Sequence, residues 1–187
     1  MKQTRVTNPL PYYIYLWAVA LLTLVGLTDS IHLAISHYRV YTDIEYTSFC
    51  AISRAINCDT VSQSPYAIML NMPVAIWGVI GYAFILILLF IAGSKSAGKV
   101  RIWSLIFWVT LLFSGHSVIL AWISSHLIQS YCILCIVSYG VNLALLFYAW
   151  LIRRRFTNYG LMVNTQKDIL FLWKNKNIKN TELALYF

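Results

Sequence analysis

Charge is scarce in this chain: Asp, Glu, Lys and Arg make up 11% of its 187 residues, while 60% are hydrophobic. A soluble domain of this size would be left with too little polar surface to stay dispersed, so the membrane class is the natural one. The sequence has no internal repeat, no low-complexity tract and no glycine-rich phosphate loop. Cysteine is limited to four residues. The formal net charge is +8, yet the basic residues sit between apolar runs and never interleave with a soluble aromatic platform. That distribution sets membrane topology and argues against a nucleic-acid partner.

Four apolar runs are long enough to cross a hydrocarbon core, which takes about 20 helical residues. They predict spans at about 12–35, 73–92, 102–124 and 131–152. The first is too long for a signal-peptide core and reads as an uncleaved span. Trp17, Trp77, Trp103, Trp122 and Trp150 lie in or at the ends of these runs and are expected in lipid or at its interfaces. The fold class is therefore an all-α four-helix membrane bundle, one domain over 1–155, with residues 156–187 a basic tail.

Twelve basic residues, among them Lys2, Arg5, Lys95, Lys99, Arg101 and Arg153 to Arg155, fall before the first span, between the second and third, or after the fourth. The other side carries only Arg39 and Arg54, offset by Asp43, Glu45 and Asp59. Both termini are thus expected in the cytoplasm. The loop from His37 to Met72 and the turn from Ser125 to Ser130 would face the periplasm or an equivalent lumen. The arginine triplet would anchor the fourth span beside anionic headgroups, and the tail around Leu170 to Trp173 could rest on the inner leaflet.

All four cysteines fall on the outer side: Cys50 and Cys58 in the loop, Cys132 and Cys135 at the start of the fourth span. Disulfides form and persist in that compartment. Cys132-Ile133-Leu134-Cys135 opens a helix, so its sulfurs share one face within bridging reach. The helix N-terminus favours thiolate, the species that attacks a disulfide or a quinone. Two static disulfides, or thiols serving as small apolar residues, would not call for a Cys-x-x-Cys at a helix start. Seven residues between Cys50 and Cys58 is not a zinc-finger spacing, and no metal is expected.

The Cys-x7-Cys pair followed by Val61 and Ser64, and the Cys-x-x-Cys heading the last span with Tyr139 one turn on, resemble the vitamin K epoxide reductase family. Cys58-Asp59-Thr60-Val61 and Ser64-Pro65-Tyr66-Ala67, leading into Pro73, resemble its bacterial, disulfide-forming branch. The likeness covers about residues 10–155. It implies a relay at a bacterial inner membrane. Cys50 would meet a periplasmic thioredoxin-fold partner of the DsbA type, Cys58 would exchange with Cys132, and Cys135 would face a membrane quinone, ubiquinone or menaquinone. Longer bacterial members carry a fused thioredoxin domain after a fifth span; residues 156–187 are too short and polar for either, which implies a separate partner.

Ser64 and Pro65 could start a short interfacial helix that roofs the quinone pocket, with Ser64 as N-cap, as the half-helix of the family does. Tyr139 could donate a hydrogen bond to a quinone carbonyl, its role in the family, and Asn142 is expected to bind helices together. His116, in mid-span, suggests a proton path, although a neutral histidine bonded to a neighbouring helix is the commoner arrangement. Asp29 is expected near enough to the outer end to be hydrated, with a structural role. Epoxide reduction on the same fold, and a non-catalytic subunit stapled by disulfides, remain open alternatives.

Overall fold

In a bilayer core a backbone can satisfy its hydrogen bonds only within itself, so an isolated apolar run of about 20 residues becomes a helix. The computed structural model describes residues 11–93, 102–156, 165–166 and 168–170. Among them are four helices long and apolar enough to cross a membrane. They are α1 (Tyr12–Thr42), α3 (Val74–Gly93), α4 (Trp103–Ile123) and α5 (Ile133–Phe156). Between α1 and α3 the outer loop holds α2 (Cys58–Ser62), a 3-10 turn at Pro65–Ala67 and a hairpin of β1 (Ile68–Met69) and β2 (Met72–Pro73). Helix α1 packs against α3 and α5, and α4 packs against α5.

The element boundaries depart from the sequence expectation where polar residues continue a helix. Helix α1 runs seven residues past Ile35 to Thr42 because no Gly or Pro stops it; the Asp43 N–H closes it on the Arg39 carbonyl at 2.9 Å. At the outer end of α4 the chain widens into a π-helical turn at Ser124–Ile128. Helix α5 ends at Phe156, which takes the arginine triplet into its last turn. There the cations face the negative end of the helix dipole, and Arg155 Nη1 donates to Tyr15 OH at 2.6 Å.

Three further expectations change. The Ser64 segment is a single 3-10 turn, and Ser64 does not cap it: its hydroxyl turns back to donate to the Val61 carbonyl at 2.7 Å. Trp103 is completely buried, its Nε1–H donating to Tyr12 OH at 2.9 Å, so it belongs to the protein core rather than to lipid. Asp29 is buried rather than hydrated, since the extension of α1 leaves it 13 residues from the outer end. Of the tail, Thr165 receives a hydrogen bond from Trp108 Nε1 at 3.3 Å and Asp168 is buried, which ties these residues to the bundle; Leu170 is exposed. Lys2, Arg5, Lys95, Lys99, Arg101, Lys167, Phe171 to Trp173, Lys174, Lys176 and Lys179 lie outside the described residues.

The outer surface of the bundle is apolar, with Trp17, Leu21, Phe90 and Phe147 exposed where lipid would lie. Small residues and a polar core join the helices inside. A Cβ on Gly26 would stand 2.4 Å from the Tyr82 ring, so only glycine lets α1 and α3 approach this closely. Tyr82 OH donates to Asn142 Oδ1 at 2.7 Å, Asn142 Nδ2 to Ser117 Oγ at 2.8 Å, and Ser114 Oγ to the Asn142 carbonyl at 3.0 Å. Asn142 therefore binds α3, α4 and α5 together, as expected of it. Gly26→Val should lower the thermal stability of the detergent-solubilised protein by about 1–3 kcal/mol, the usual cost of overpacking. Helical circular dichroism on heating measures this, with the lipid-facing Leu21→Val as control; equal melting temperatures would show the contact to be slack.

Candidate functional site

The two cysteine pairs lie far apart in the chain and are brought together by backbone pairing. The Asn57 N–H bonds the Tyr131 carbonyl at 3.0 Å and the Tyr131 N–H bonds the Ala55 carbonyl at 2.8 Å, forming a short parallel bridge. Two of these residues stand next to a cysteine: Asn57 before Cys58, Tyr131 before Cys132. Asn57 also starts α2, its side-chain oxygen accepting the Asp59 and Thr60 N–H groups at 2.9 and 3.1 Å. That cap has a sequence signature, an Asn with an acidic residue in the following turn, which the sequence reading passed over.

Side chains hold the rest of the loop. His37 Nδ1 lies 2.8 Å from Ser62 Oγ, and Ser36 Oγ lies 3.2 Å from Tyr46 OH, so the extended outer turns of α1 serve as a post for the loop. The Asp59 carboxylate accepts the Ser48 N–H at 3.0 Å, drawing the segment before Cys50 over Cys58. Cys50 and Cys58 form a disulfide with a Cα separation of 5.6 Å, while Cys132 and Cys135 are free thiols. Cys50, Cys58 and Cys132 are all buried, and their sulfurs lie within 4.8 Å of one another. Three sulfurs that close could also hold a metal, but two of them are bonded to each other and have no thiolate to offer.

Cys132 stands one residue before the spanning helix, and the Cys135 N–H donates to its sulfur at 3.2 Å. The thiol is held below the ordinary cysteine value, first by a hydrogen bond from the Cys135 side chain, with burial opposing and the Cys135 and Leu134 N–H groups assisting. Positive charge at the helix N-terminus acts in the same direction. Cys132 is thus the inner sulfur better prepared to be a thiolate, and it is the one against the Cys50–Cys58 bridge.

Cys135, one turn deeper and half-buried, opens onto a cavity of about 400 Å³ between the helices and the outer loop. Tyr139 and Ser64, both singled out from the sequence, line it, as do Cys58 and Cys132. Most of the wall is apolar, with Leu112, Phe113 and Ile80 among its residues. Trp77, expected from the sequence in lipid or at its interface, lines it too, as does Tyr82, and Trp77 Nε1 donates to the Met69 carbonyl at 3.2 Å, fastening the hairpin to α3. His116 lines the same space, and its Nε2 is buried with no hydrogen-bond partner among the described residues. It is not the helix-to-helix bond that the sequence suggested. Asp29 accepts a hydrogen bond from Ser138, itself a lining residue, across α1 and α5. An apolar cavity with a few convergent polar groups is the form of a small-molecule site.

The Cys132 assignment carries a prediction. Its alkylation, followed by mass spectrometry of the peptide across a pH series, should show a midpoint below that of a free thiol, and Cys135→Ala should move that midpoint upward. An unshifted midpoint in the variant would remove the Cys135 side chain as the main cause.

Comparison with protein families gives a match to the model of the vitamin K epoxide reductase family over residues 17–150. No curated protein matches the chain.

Proposed function

The chain belongs to the vitamin K epoxide reductase family, a family of membrane quinone-linked thiol oxidoreductases, and from that premise we propose that it carries electrons from a periplasmic thioredoxin-fold protein of the DsbA type to a membrane quinone, thereby driving disulfide formation in exported proteins. One membrane domain, residues 1–155, performs this work in a bacterial inner membrane, with both termini and the tail 156–187 in the cytoplasm. The placement rests on the charge asymmetry of the sequence. The observation that carries the reading is the sulfur cluster: Cys50, Cys58 and Cys132, from two distant stretches of chain, within 4.8 Å of one another and beside a cavity that Cys135 also lines.

The steps follow from thiol–disulfide exchange. A thiolate of the reduced partner attacks Cys50 of the Cys50–Cys58 bridge, the partner's second thiol completes its own disulfide, and Cys50 and Cys58 are left as thiols. The Cys58 thiolate then attacks Cys132 of an inner Cys132–Cys135 bridge and releases the Cys135 thiolate. Cys50 attacks Cys58, which restores the outer bridge and leaves the inner pair reduced. An outer bridge with inner thiols is the arrangement seen here, and it corresponds to the stage after inward transfer. The quinone, when bound, supplies the oxidising power and is reduced to quinol by the two electrons and two protons that leave Cys132 and Cys135. Around it, Tyr139 offers a hydroxyl donor, and the Ser64 to Ala67 turn covers the cavity from the loop side.

Purified protein in proteoliposomes, given a reduced thioredoxin-fold substrate and either ubiquinone or menaquinone, should reduce at least one of them, followed by quinone absorbance. Serine at any of the four cysteine positions should bring turnover to background, and Cys50→Ser should accumulate a Cys58–Cys132 cross-link on non-reducing gels. Silence with both quinones would end the assignment of the acceptor, and a Cys50–Cys132 cross-link in a Cys58→Ser variant that still turns over would reverse the order of the outer thiols. Tyr139→Phe should raise the quinone KM about tenfold with little change in partner affinity, the scale of one lost hydrogen bond with an unpaired acceptor. An unaltered KM would reduce Tyr139 to a packing residue.

A further inference from the structure

Among the described residues, His116 is the one cavity-lining group with a buried polar atom that has no hydrogen-bond partner. It sits in α4 between Ser114 and Ser117, whose hydroxyls are both engaged with Asn142 and not with the imidazole. Its Nε2 is buried and bonds nothing among the described residues, while the side chain borders the cavity that Cys135 and Tyr139 also line. A buried polar atom without a partner is destabilising, and natural proteins keep one chiefly where something else supplies the missing bond. In a bilayer interior the cost is not relieved by water.

Depth along the helices agrees with a shared ligand. His116 lies eight residues before Ser124 at the outer end of α4, and Tyr139 six residues beyond Ile133 at the outer end of α5. At about 1.5 Å per residue these are roughly 12 and 9 Å below their helix ends, so the two side chains stand at similar levels on adjacent helices. An imidazole at this depth is neutral, because a charged one is strongly disfavoured there, and a neutral imidazole has one N–H to donate.

We propose that His116 is a quinone-binding residue, donating its imidazole N–H to one of the two ring carbonyls while Tyr139 serves the same ring from α5. This rests on the quinone reading above. It assigns to α4 a recognition role separate from the thiol relay: the cysteines set the direction of electron flow, and the imidazole holds the ring. A ligand with a single carbonyl, or an apolar ring of the same size, would lose this contact.

The test uses the full chain in proteoliposomes with short-chain ubiquinone and menaquinone labelled at the carbonyl carbons, and with imidazole-labelled histidine. In the wild-type protein, a bound carbonyl stretch should fall in the infrared difference spectrum, and the His116 nitrogen resonance should move on quinone addition. His116→Leu should weaken quinone binding about tenfold and remove that carbonyl perturbation, without lowering the melting temperature of the quinone-free protein. His116→Gln, which keeps an N–H donor, should recover part of both. Thiol exchange between the outer pair and the partner should be the same in all three proteins. A leucine variant with unchanged affinity and carbonyl bands overturns the proposal alone, as does a wild-type nitrogen resonance that ignores bound quinone. Failure of the wild-type protein to bind either quinone overturns the quinone reading and this proposal with it.

Discussion

Two backbone hydrogen bonds, between Asn57 and Tyr131 and between Tyr131 and Ala55, bring the two cysteine pairs of this protein together. They join a loop between the first two spans to the residue that precedes the last one, more than 70 positions away. Because Asn57 adjoins Cys58 and Tyr131 adjoins Cys132, closing the bridge delivers Cys58 to Cys132 as a geometric consequence. Side chains at these positions could vary widely while the main-chain bonds persisted. The Ser130 hydroxyl, 3.4 Å from the Asn57 carbonyl, adds a third tie at the same place.

The rest of the outer structure supports that contact. Helix α1 extends beyond the apolar run so that Ser36 and His37 can meet Tyr46 and Ser62, which places the loop over the bundle rather than beside it. The Trp77 bond to Met69 does the same for the hairpin. In the hairpin, Leu70 and Asn71 both have positive φ, at 52° and 62°, the conformation a two-residue turn with native strand twist demands. Beneath this cover the polar residues divide by role. Asn142, Tyr82, Ser114 and Ser117 satisfy one another and hold helices together. Cys135, Tyr139 and His116 face the cavity, where sulfur chemistry and ring recognition can meet in a region lipid would otherwise fill.

Much of the fold could be read in the sequence, since each spanning run must form a helix. The four cysteines were legible for a similar reason: a Cys-x-x-Cys at a helix start has few structural uses, and the outer compartment permits bridges. Ser64 and Tyr139, expected from the sequence at a quinone, both line the cavity, although Ser64 arrives there by a 3-10 turn and without the capping bond. Asp29 and His116 were misplaced in environment. Hydropathy measures only how far a residue sits from a span's end, and says nothing of whether a neighbouring helix supplies a hydroxyl, as Ser138 does for Asp29, or leaves an imidazole unpaired, as around His116.

By itself the sequence determined the number of spans and that all four cysteines fall near the same end of them, because these follow from apolar run length and cysteine position along one chain. Which sulfurs touch, which thiol is prepared as thiolate and what shape of cavity lies beneath them were decided only by tertiary structure. Those properties depend on main-chain pairing between distant segments and on helices approaching through Gly26 and Asn142, and neither distance nor approach is encoded in any local pattern.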